Sequence, residues 1–154
     1  MQKPDMRRFL MDTNLLVLLI VGRSDPSWIL SFKRTKVYTP DEYDRLESLL
    51  RQASGLVSTP NILTETSNLL NAATGGHRLI LFQTMAELIE GLDEVYVQSR
   101  TAASNVIFPD FGLTDMAILD ATRETESIAL TDDSRLAGQL AIQDLDVINF
   151  NHLR

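Results

Sequence analysis

The chain has 154 residues, enough for one domain with its own core, and contains no cysteine. Disulfides, thiolate nucleophiles and Cys-ligated zinc are therefore excluded. The formal net charge of −7 argues against broad electrostatic affinity for nucleic acid, which needs Lys and Arg to displace counterions. Acids gathered in a metal site, however, repel phosphate only until the metal binds.

The N-terminal stretch MQKPDMRRF is basic but has no adjoining apolar region with a cleavage site, so no signal peptide is expected. The longest apolar run, 15–21, is far shorter than the roughly 20 residues that span a bilayer. The expectation is a cytoplasmic protein that does not engage a membrane.

In chain order, residues 8–11 read as a strand and 13–21 as a helix with an apolar face. Residues 22–38 read as irregular, carrying Pro26 and the basic cluster Lys33, Arg34 and Lys36. Thr39, Pro40, Asp41 and Glu42 combine an N-cap, a proline at the first helical position and acids in the first turn, predicting a helix to about residue 53. A second strand covers 55–58. Thr59 and Pro60 repeat the cap signal for a helix to about residue 73, where Gly75 and Gly76 read as a helix break. An amphipathic helix at 78–89 ends at Gly91, and strand 94–97 and helix 99–106 follow. Residues 108–112 break the pattern. Thr114 reads as the cap of a helix at 115–124, before a strand at 127–130, a helix at 134–142 and a fifth strand at 146–150.

No repeat or linker interrupts this order, so 1–154 reads as a single domain. Strands separated by helices predict an α/β fold with a mainly parallel sheet covered on both faces. Ligands in such folds bind at the carboxyl ends of strands, where the strand order reverses. The acids follow that rule. Asp12 comes directly after the first strand, Asp132 and Asp133 come after the fourth, and Glu65 and Asp115 lie on helices between them.

Each acid has a second reading. Asp12 is a natural N-cap. Glu65 lies on or beside the apolar stripe of its helix, with Ile62 three residues before it and Leu69 four after, yet a rim position would keep its head in water. Asp115 suits the dipole of a first helical turn, and Asp132 and Asp133 also suit the start of a helix. Asp120 is turned well away from Asp115 and is a secondary candidate. Together, carboxylates from several elements are what Mg²⁺ or Mn²⁺ requires, because these hard cations take oxygen ligands and activate water against a phosphodiester. Without metal the acids repel one another, so some are expected to hold protons.

Four segments carry a resemblance: 9–14 (FLMDTN), 63–70 (LTETSNLL), 112–119 (GLTDMAIL) and 129–136 (ALTDDSRL). In order and spacing they resemble the PIN-domain family of metal-dependent nucleases, which includes the VapC-type toxins of toxin–antitoxin pairs. The resemblance covers essentially the whole chain. It implies a three-layer α/β/α sandwich with a five-stranded parallel sheet in the order 3-2-1-4-5, and Mg²⁺- or Mn²⁺-dependent endonucleolytic cleavage, most often of RNA. It further implies that Asp12, Glu65 and Asp115 form the acid core. Asp133 is the fourth acid, two residues after Thr131, with Asp132 as its neighbour, and Thr131 and Asn14 support ligand or water positions. An antitoxin partner and a homodimer are expected on the same ground.

Residues 22–38 look longer than the equivalent stretch in compact toxins, and 31–38 interleaves bases and aromatics. Lys33, Arg34 and Lys36 are the candidate substrate contacts, with Phe32 and Tyr38 either stacking on exposed bases or anchored in the core. His77 and His152 are too few and too far apart for a zinc site or a Ser–His–Asp triad. A haloacid-dehalogenase-like phosphatase is disfavoured because position 14 is Asn, where a second Asp would be needed. A catalytically silent PIN-like module that binds RNA or protein is the alternative to a nuclease.

Overall fold

A computed structural model of the chain describes residues 7–154. Most of the N-terminal stretch in which no signal peptide is expected lies outside the described residues. The elements are β1 (Phe9–Met11), α1 (Thr13–Ser24), α2 (Pro40–Leu50), β2 (Leu56–Ser58), α3 (Pro60–Leu70), α4 (Gly75–Gly91) and β3 (Asp93–Glu94). They continue with α5 (Ser99–Ala103), α6 (Phe108–Phe111), α7 (Leu113–Thr125), β4 (Ile128–Thr131), α8 (Ser134–Ile142) and β5 (Val147–Asn149). All strand pairs are parallel, in the order β3-β2-β1-β4-β5, and helices complete a three-layer α/β/α sandwich.

The two cap-and-proline signals act as expected. The Thr39 hydroxyl accepts the Glu42 N–H at 3.1 Å and the Thr59 hydroxyl accepts the Ile62 N–H at 3.3 Å, satisfying donors that a helix start leaves orphaned. Residues 15–21 of α1 are buried without interruption, because α1 is enclosed by α2, α3 and α4. A helix that is apolar all round belongs inside. Strand β1 sits at the centre of the sheet, with Met11 paired to Leu130 of β4. The Asp12 N–H continues that pairing to the Leu130 carbonyl at 2.9 Å, so the chain leaves the sheet at Asp12.

Several boundaries differ from the sequence reading. Gly75 and Gly76 open α4 rather than merely breaking the chain. Gly75 has φ +60, a left-handed conformation that glycine adopts without strain, and it re-aims the chain after α3. Helix α4 is not cleanly amphipathic: Leu81, Met85 and Leu88 are buried while Leu79, Ile80 and Ile89 are exposed. Residues 108–111 form the short helix α6 instead of an irregular break. Thr114 is not a cap. Gly112, at φ 85 and ψ 180, makes the turn, and the helix begins at Leu113. The 22–38 segment is partly ordered by the end of α1 and a 3-10 turn at Pro26–Trp28. Among the described residues no helix is long and apolar enough to cross a membrane.

Candidate functional site

Because β1 and β4 are neighbours, the residues that follow them emerge side by side at the carboxyl edge of the sheet. Asp12 caps α1 in extended backbone geometry, its Oδ1 accepting the Thr13 N–H at 2.7 Å. Its Oδ2 accepts the hydroxyl of Thr131 at 2.7 Å. The same Thr131 oxygen accepts the backbone N–H of Asp133 at 3.0 Å. One hydroxyl, only 1% exposed, therefore ties the first strand end to the fourth. Asp12 is thus a helix cap that also lines a cavity.

Glu65 projects from α3 toward the same place. Its Oε2 accepts the Thr13 hydroxyl at 3.2 Å and its Oε1 the Thr114 hydroxyl at 2.8 Å, so α1 and α7 both hold it. Asp133 caps α8, Oδ1 accepting the N–H groups of Arg135 and Leu136 at 3.0 and 3.1 Å. Asp115, in the first turn of α7, completes the set. A cavity of about 330 Å³ is lined by Asp12, Thr13, Asn14, Glu65, Asn68, Leu69, Asp115 and Asp133.

Crowding of like charges shows in the acidities. Burial, then the charges of Asp12, Asp133 and Glu65, push the Asp115 carboxyl up to about 7, with Arg135 opposing them. Burial also raises Asp12, and Asp132 and Asp133 add to the effect. The Thr131 hydroxyl and the Thr13 N–H pull in the other direction. Among the described residues, no three acidic or histidine side chains are grouped so that they could hold a metal ion together. The acids line an open cavity rather than a preformed cage.

The remaining candidates separate clearly. Asn14 is exposed and lines the cavity, whereas Thr131 is buried and donates its hydroxyl to Asp12. Asp132 turns the other way, its carboxylate receiving the buried Tyr38 hydroxyl and its carbonyl the Asn151 amide. Asp133 alone of that pair lines the cavity. Asp120 is not part of the site. Five residues along a helix turn it about 140° from Asp115, and it meets Arg123 at 3.7 Å.

The basic segment does not reach the acids. Lys33 lines a different cavity, and Arg34 and Lys36 are exposed without lining the acid cavity. Its aromatics turn inward: Tyr38, 2% exposed under the Arg154 guanidinium, is closed to a base, and the half-buried Phe32 packs on the core beside Lys33 in that other cavity. Thr13, Thr114, Asn68 and Arg135 are the neighbours that sequence reasoning missed. Asn68 was within reach of it, lying three residues after Glu65 and hence on the same helix face.

No protein-family model matches the chain, and no curated protein matches it in sequence.

Proposed function

We propose that the chain is a divalent-metal-dependent phosphodiesterase of the PIN-domain kind that cuts RNA endonucleolytically. The observation that carries this reading is the convergence of four carboxylates from four separate elements on one cavity at the sheet edge. The donor set is all oxygen, as Mg²⁺ and Mn²⁺ prefer. Mg²⁺ is commonly held by one or two carboxylates with waters filling the octahedron, so it does not require three of these acids to be grouped beforehand.

Asp12, Glu65, Asp115 and Asp133 would hold the ion, directly or through water. When bound, it supplies an activated water and neutralises charge building on the phosphate and the leaving oxygen. Asp12 is fixed in advance by Thr13 and Thr131, so little side-chain order is lost when it acts. Asp115, its carboxyl raised to about 7, would give up its proton on binding a cation. Thr13 and Thr114 keep Glu65 aimed at the cavity from the α3 side.

RNA as the substrate, an antitoxin partner, a homodimer and a cytoplasmic location rest on the PIN-domain resemblance. The test is cleavage of single-stranded RNA and DNA by purified protein with Mn²⁺, Mg²⁺ or EDTA. Cleavage is expected with either metal and not with EDTA. Asp12→Asn and Asp115→Asn, melting no lower than the parent, should lose more than the roughly 10–100-fold that outer-shell partners cost. Cleavage that persists in both variants sinks the reading. The absence, among the described residues, of three acids grouped to hold an ion favours one alternative, a silent RNA- or protein-binding module. No calorimetric heat on adding Mn²⁺ to the parent protein would support that alternative.

A further inference from the structure

A second cavity, of about 300 Å³, opens where the end of α3 and the start of α4 meet the 22–38 segment. Trp28, Phe32, Lys33 and His77 line its walls over a floor that includes Val21 and Leu81. Trp28 and His77 are already stacked, their ring centroids 4.0 Å apart and their planes 26° from parallel. A half-buried indole, an exposed imidazole and an exposed ammonium in one concavity of this size match what a single base with its phosphate needs. The rings take the base by stacking and Lys33 takes the phosphate. Asp25, nearby on the same segment, is committed to the N–H and hydroxyl of Ser27 at 2.9 and 2.7 Å.

Position favours the same ligand. Asn68 and Leu69 line the acid cavity, and Ala72 and Ala73 line this one. Ala72 and Ala73 lie in the turn just after α3, each four residues on from one of that pair, so at most about 15 Å of chain separates the two linings there. Along α1, Asn14 belongs to the first cavity and Val21 to the second, two turns or about 10 Å on. A single strand whose phosphate lies among the acids has its neighbouring nucleotides within reach of Trp28 and His77.

We propose that the cavity between Trp28, Phe32, Lys33 and His77 is a subsite for an unpaired base of the RNA strand, next to the scissile phosphate. The assignment rests on the nuclease reading of the acid cavity. It gives one member of the basic segment, Lys33, a substrate contact, and leaves Arg34 and Lys36 outside it.

Trp28 is the only tryptophan in the chain, so its fluorescence reports on this cavity alone. The experiment titrates Asp12→Asn protein, in Mg²⁺, with short oligoadenylate, oligouridylate and inorganic phosphate. It follows Trp28 emission beside the anisotropy of a labelled oligonucleotide. Saturable quenching by the oligonucleotides and none by phosphate is expected. His77→Ala, at an exposed position, should weaken binding at least about fivefold, the lower end for loss of one base stack. In otherwise unaltered protein it should raise KM by more than it lowers kcat. Oligonucleotide binding that leaves Trp28 unchanged overturns the subsite, as does unaltered affinity in His77→Ala, quenching by phosphate alone, or no binding. Quenching and a His77 effect in protein that cuts nothing keep the subsite and remove the nuclease reading. Cleavage with a silent Trp28 does the reverse.

Discussion

Replacing Asp115 with Asn should stabilise the metal-free protein, by an amount that grows from about pH 4 and is full above about pH 7. Asp115 has its carboxyl lifted from an ordinary 3.8 to about 7 by burial and by Asp12, Asp133 and Glu65. A tenfold change in acidity corresponds to about 1.4 kcal/mol, so a rise of that size felt wholly as stability would be about 4 kcal/mol. The side chain is only half-buried, and solvent screening cuts the figure to about 2 kcal/mol. The sign follows from linkage. Below about pH 3 the carboxyl is neutral in both folded and unfolded chains and costs nothing. As pH rises toward 7 the unfolded chain gains by ionising while the folded one resists, so stability falls, and above about 7 the full penalty stands. Asparagine removes the penalty. Thermal melts in EDTA should show Asp115→Asn above the parent by roughly 4–8 °C near pH 8 and level with it near pH 3. Saturating Mn²⁺ should narrow or reverse the gap by stabilising the parent alone. An equal gap at both pH values, or a less stable variant near pH 8, refutes the crowding of charge on which the site rests.

Thr131→Val should remove the hydroxyl shared by the Asp12 carboxylate and the Asp133 N–H. That costs about 1–3 kcal/mol in denaturant melts and most of the cleavage, with Thr131→Ser retaining both; a Val variant that matches the Ser variant contradicts the assigned role. Gly22→Ala places a methyl 2.3 Å from two Tyr43 ring carbons. That ring is held by the Glu47 carboxylate at 3.0 Å, itself paired with Arg23 at 2.7 Å. Overpacking should cost about 1–3 kcal/mol, a drop of several degrees in Tm, and an unchanged Tm would show that the ring moves aside freely.

What the sequence disclosed and what it hid follow a physical division. Local signals were legible. The caps at Thr39 and Thr59 stand beside prolines, and the strand ends carry their acids where a parallel sheet exposes them. The alternation of elements required a parallel sheet, while the strand order came with the family resemblance. Partners distant in the chain were not legible. Thr114 looked like a cap because a hydroxyl before an acid suits a helix start; its bond to Glu65 spans 49 positions and exists only because α3 and α7 meet. Tyr38 and Asp132, 94 positions apart, likewise show no local pattern. Their contact explains both why Tyr38 is unavailable to a base and why Asp132 turns from the cavity. Gly75 and Gly112 were misjudged for another reason: positive φ marks a change of direction, and a change of direction can open a helix as readily as end one.

The most direct measurement is anomalous diffraction from crystals soaked in Mn²⁺. A manganese peak in the cavity bounded by Asp12, Glu65, Asp115 and Asp133, absent from Asp12→Asn crystals treated alike, is the expected result. A fully soaked parent crystal with no peak in that cavity contradicts the account.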